Sequence, residues 1–83
     1  MRDRQGREVA RLGDRTDHGG RIIQAADDLI HMVRRVALHG HLVECPKCGG
    51  AFPINATGER THRGVRVAFP GDRTACGATL IEA

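Results

Sequence analysis

The chain has 83 residues, with 13 Lys plus Arg against 10 Asp plus Glu, five His, three Cys, eleven Gly, two Phe and neither Trp nor Tyr. One small domain over residues 1–83 is therefore expected, with too little apolar and aromatic material to stand without a metal or a partner. The net charge of +3 is mild and the signs are interspersed, so nucleic acid is permitted but not demanded, and the aromatic platforms that stack bases are missing. No apolar run reaches membrane-spanning length, and the arginine-rich start lacks the apolar segment of a signal peptide, which predicts synthesis as a soluble cytoplasmic protein without a membrane anchor. An odd cysteine count suits reduced thiolates on a metal better than a disulfide framework.

Taken in order, the chain repeats itself. Val9-Ala10-Arg11-Leu12-Gly13-Asp14 returns as Val36-Ala37-Leu38-His39-Gly40-His41 and as Val67-Ala68-Phe69-Pro70-Gly71-Asp72. Gly13 to Ile23 then aligns without a gap on Gly71 to Ile81. The middle copy, from Gly40 to Gly50, needs about three extra residues to keep both its ends in register. Gly6-Arg7-Glu8-Val9-Ala10 also matches Gly64-Val65-Arg66-Val67-Ala68, so the units run 9–35, 36–66, and 67–83 joined to 1–8. A third unit completed by the two termini predicts a closed object with approximate three-fold symmetry.

Two local patterns conflict between residues 22 and 38. Ile22, Ala26, Leu29, Ile30, Val33, Val36 and Ala37 have helical spacing. The repeat partner, Phe52 to Phe69, carries Pro53, Gly58 and Gly64 and cannot be one long helix, while Val65 and Val67 flank Arg66 with the two-residue period of a strand. Repeat consistency outweighs the single pattern, so strands are expected over 29–38, with turns near Asp27-Asp28 and Gly58-Glu59. The expected fold class is mainly β, a small cone-shaped pseudo-three-fold β-structure of short strands and loops closed by a metal site.

Cys45-Pro46-Lys47-Cys48-Gly49-Gly50 carries the chemistry, because a Cys-x-x-Cys turn delivers two thiolates to one ion. His18-Gly19-Gly20 and Cys76-Gly77-Ala78 occupy the corresponding places in the other units. The predicted ligand set is His18, Cys45, Cys48 and Cys76 around zinc, all protein donors, as in structural rather than catalytic sites. His41 is a reserve ligand with His39 behind it. His31 and His62, partners in the repeat, are expected to be exposed or packing histidines. Asp14 and Asp72 fit turns capped by their own side chains, and no catalytic set emerges. A zinc-ribbon-like nucleic-acid-binding module is the alternative reading, weakened by the absence of a second Cys-x-x-Cys.

The segments Gly13 to Gly20, Cys45 to Gly49 and Val67 to Ile81 together resemble the PAAR-repeat proteins, with the eponymous Pro-Ala-Ala-Arg present only as Val9-Ala10-Arg11, Val36-Ala37-Leu38 and Val67-Ala68-Phe69. The resemblance runs from about Val9 to Ile81. It implies a short β-cone that caps and sharpens the trimeric valine-glycine repeat spike of a type VI secretion system, one copy per trimer, and leaves the cell with it. It also implies zinc near the vertex, carried onto His18, Cys45, Cys48 and Cys76; family members with three His and one Cys differ from this cysteine-rich set. A toxin effector or an adaptor is a further partner that the resemblance admits.

Overall fold

A computed structural model of the chain describes residues 8–31 and 33–81. Eight short strands account for its regular structure: β1 (Arg21–Ile22), β2 (Ile30–His31), β3 (Arg34–Arg35), β4 (Leu42–Cys45), β5 (Gly50–Asn55), β6 (Thr61–His62), β7 (Val65–Arg66) and β8 (Arg73–Thr74). No helix occurs among the described residues. The strand expectation for 29–38 is met by the β2–β3 hairpin, whose counterpart is the β6–β7 hairpin. Bends fall at Asp27-Asp28 and at Gly58-Glu59, where the repeat put turns. The helical spacing of 22–38 loses because its apolar residues face two separate clusters of the core rather than one stripe: Ile22 lies in one, and Ala26 and Val36 in the other.

At the centre the three Val-Ala copies form a closed ring. Ala10 N donates to Ala68 O (2.9 Å), Ala68 N to Ala37 O (3.0 Å), and Ala37 N to Ala10 O (2.9 Å). All three alanines are buried, and alanine is what a ring this tight admits, since each side chain must clear two others around one axis. Successive residues of an extended chain point to opposite sides. The alanines accordingly face a cluster with Ile22, Val43, Ile54, Ala56 and Leu80, whereas Val9, Val36 and Val67 face a second with Ala26, Leu38 and Phe69. The core is thus two small layers divided by a hydrogen-bonded ring.

On the alanine side, three hairpins close edge to edge. The four-stranded sheet has the order β1-β4-β5-β8. Isolated bridges Arg15↔Arg21, Arg73↔Thr79 and Thr16↔Leu80 join its outer strands through the segments at 15–16 and 79–80. Among the described residues, closure leaves no open edge in this layer, which removes the usual route to intermolecular strand pairing. Each hairpin is fastened at its base in the same way. Gly13 N, Gly40 N and Gly71 N donate to the carbonyls of Ile22, Ile54 and Leu80, and these three residues donate back to Asp14 O, His41 O and Asp72 O.

Those fastenings bear out the three extra residues expected between Gly40 and Gly50 and show two more beyond Gly50. Seven residues separate Asp14 from Ile22 and Asp72 from Leu80, while twelve separate His41 from Ile54. Five residues are therefore extra, three before the paired glycines and two after. The two after them lengthen β5, whose six residues pair with both β4 and β8. The match expected of Gly6-Arg7 with Gly64-Val65 lies outside the described residues.

Candidate metal centre

The three hairpin tips converge opposite the ring. Each tip reverses at a glycine with positive φ: Gly19 (79°), Gly49 (77°) and Gly77 (87°). Side-chain-bearing residues avoid this region, and glycine does not. The residue just before each glycine is His18, Cys48 or Cys76, so these are the three equivalent tip positions. Cys45 is the added donor, one strand position below the tip, buried and paired with Gly50 across the hairpin. Counting back from the glycines is therefore the structurally correct alignment of the middle copy.

The structure brings all four expected residues together. One donor atom each from His18, Cys45, Cys48 and Cys76 lies within 4.8 Å of every other, a group that could hold a metal ion. Cys45 Sγ is 3.6 Å from His18 Nδ1, and Cys48 Sγ reaches to 4.0 Å from Cys76 O across the boundary between units. Burial grades from Cys45, buried, through His18 and Cys76 to exposed Cys48. The imidazole has its Nδ1 toward the sulfurs, and its Nε2 is 4.0 Å from Asp17 Oδ1. That distance is beyond hydrogen-bond reach, and Asp17 Oδ1 accepts instead from Thr79 N.

Electrostatics give the bare cluster a preference. The Thr74 hydroxyl, 3.1 Å from Cys76 Sγ, is the largest influence pulling that thiol down to about 6. Hydrogen bonding with Cys45 and then Cys76 pushes the Cys48 thiol up to about 11. Three sulfurs this close cannot all be anionic without a cation among them. A divalent ion would reverse the penalty on Cys48, because its charge dominates any site it enters.

The two reserve histidines are occupied elsewhere. His41 Nδ1 accepts from Leu38 N (2.9 Å), the task that Asp14 Oδ2 performs for Arg11 N and Asp72 Oδ2 for Phe69 N in the other units. The self-capped Gly-Asp turns are thus present, and His41 is an imidazole version of the same cap. His39 Nδ1 accepts from Ala56 N (3.1 Å). Neither joins the four-residue group. His31 and His62 are half-buried and each meets a carboxylate at 3.0 Å, Glu8 Oε2 and Asp28 Oδ1. They link hairpins to neighbouring units rather than merely packing.

Several supporting residues escaped the motif reading. Thr16 Oγ1 accepts from His18 N and Gly20 N, and Thr74 Oγ1 from Ala78 N, which pins two of the three tips. Asp17 Oδ1 accepts from Thr79 N (2.8 Å), tying the first tip to the third. A Cβ on Gly20 would stand 1.7 Å from Glu44 O, so only glycine lets the first hairpin lie against β4. The repeated Gly-Asp-Arg-Thr was the signal for the threonines. Nothing in the sequence announced the approach at Gly20.

A small all-β body with a His/Cys3 group held by three hairpin tips defines the class. The family model for the PAAR motif matches residues 12–82, nearly the whole chain, and the chain belongs to that family. Among curated proteins, nothing matches it. No helix among the described residues is long and apolar enough to cross a membrane.

Proposed function

We propose that this chain is a single PAAR-type domain that caps the trimeric valine-glycine repeat spike of a type VI secretion system, with zinc at its vertex. His18, Cys45, Cys48 and Cys76 are the ligands in this reading. Three thiolates and an imidazole suit zinc, which takes four nitrogen or sulfur donors and, in structural sites, leaves no position open. The observation that carries the capping role is the closed ring of Ala10, Ala37 and Ala68 in a member of this family. It gives one chain three quasi-equivalent faces, the symmetry required to sit singly on a trimer. The role needs no catalysis. It places the protein first in the cytoplasm and then outside the cell with the spike.

Expression with a trimeric spike, followed by elemental analysis of the purified complex, tests both parts. One zinc per chain and one chain per trimer are expected. Absence of zinc would remove the ligand assignment, and failure to co-purify would remove the capping role.

A further inference from the structure

The repeat also shows where a partner's group is missing. In the first unit Arg35 Nη1 holds Asp27 Oδ1 at 2.6 Å. In the second unit Arg66 occupies the same place as Arg35. Each immediately precedes a ring valine, and their carbonyls accept from His39 N and Leu12 N in the same way. The carboxylate position is also fixed, because Val36 N donates to Leu29 O and Val67 N to Arg60 O. Two residues before those acceptors stand Asp27 in the first unit and Gly58 in the second. Arg66 therefore has the setting of Arg35 without its anion, and no hydrogen bond or ion pair engages its guanidinium among the described residues.

What surrounds Arg66 is an open groove of about 330 Å³ lined by His39, Asn55, Ala56, Gly64, Val65 and Arg66. No lining residue is acidic. Since His39 Nδ1 accepts from Ala56 N, the neutral ring carries its proton on Nε2, a donor free for a ligand. The Asn55 amide supplies another. Ala56 and the partly exposed Val65 offer apolar wall for the methylenes of a side chain.

We infer that this groove receives an aspartate or glutamate side chain from a protein partner, with Arg66 as its principal contact and His39 and Asn55 as supporting donors. A guanidinium matches a carboxylate through two parallel N–H donors. The protein's own first unit demonstrates that this arginine position takes one. Among the described residues, the site breaks the three-fold equivalence, so it would hold an acidic partner in one of three rotational settings. The inference does not depend on the capping role, and its test uses no spike.

The metal-loaded full chain, labelled with ¹⁵N, is titrated with the peptide acetyl-Gly-Asp-Gly-amide and with its Asn counterpart. The Arg66 Nε–H, Asn55 and Val65 signals should shift and saturate with the Asp peptide, and respond at least tenfold more weakly to the Asn peptide. Gly58→Asp should supply the missing carboxylate internally. A Cβ there meets only Phe69 carbons at 3.6 and 3.8 Å, ordinary contact, so the variant folds, moves the Arg66 Nε–H signal by itself and no longer responds to the peptide. Arg66→Gln should abolish the response with the remaining spectrum unchanged. Equal response to both peptides, or peptide binding unaltered in Gly58→Asp, would overturn the proposal. Tighter binding of inorganic phosphate, or of acetate as strong as the Asp peptide, would overturn the assignment to a protein side chain.

Discussion

Besides Gly58, two residues that depart from their partners in the repeat have measurable consequences. Val33 sits at the tip of the β2–β3 hairpin with φ 76° and is 95% exposed. Its counterpart at the β6–β7 tip is Gly64, φ 82°. Left-handed backbone costs a side-chain-bearing residue about 1–2 kcal/mol, against about 0.5–1 kcal/mol of extra chain entropy lost by glycine. Val33→Gly should therefore stabilise the protein by about 0.5–1 kcal/mol, read as a higher urea midpoint at unchanged m-value. A lower midpoint would mean that the valine side chain is held by contacts, which its exposure argues against.

His41 is the second departure. Burial lowers its pKa below the ordinary 6.5, with Asp27 partly offsetting the effect, and Nδ1 must stay unprotonated to accept from Leu38 N. The folded pKa lies below the unfolded one, so as pH falls through about 6.5 the unfolded chain binds the proton first and stability drops. His41→Asp restores the carboxylate cap of the other two units. Unfolding curves between pH 7 and 5.5 should show a smaller loss of stability in the variant than in the parent protein. An equal loss would assign the acid sensitivity to other groups.

At the scale of elements, the sequence revealed what the repeat enforces and concealed what depends on close approach. Helical spacing in 22–38 was overruled by Pro53 and Gly64 in the partner copy, and the strands, the two bends and the three-fold arrangement were legible for that reason. The four donors were legible too, because each precedes or lies near a glycine that a tight tip requires. The middle hairpin was only half legible. Its extra residues were countable ahead of Gly49, but the two after Gly50 appear only through the pairing of Ile54 with Gly40 and His41. Register of that kind is set in three dimensions, by which side chain fills the core beneath the ring. The closeness of Gly20 to Glu44 is likewise a contact between units that no local pattern encodes.

For the whole molecule, the division of the core by the alanine ring decides how the two ends respond to loss of metal. The ring amides are buried and bonded to one another, and both apolar clusters pack against them. The tips have no comparable packing. Gly19, Gly49 and Cys48 are exposed, and among the described residues, beyond the threonine and Asp17 hydrogen bonds, only the four-donor group joins all three tips. Structural zinc contributes on the order of 10 kcal/mol or more to small domains, as much as the entire stability of a typical fold. In this molecule, an ion held as proposed by His18, Cys45, Cys48 and Cys76 would make that contribution at one end. If the four-donor group holds the proposed zinc, removing it with a chelator should raise amide hydrogen exchange first at residues 17–19, 45–49 and 75–77, while Ala10, Ala37 and Ala68 stay protected until the whole fold opens. Exchange that rises together in tips and ring would show that the metal holds the entire fold rather than its apex. Exchange unchanged at the tips would show that they are fastened without metal.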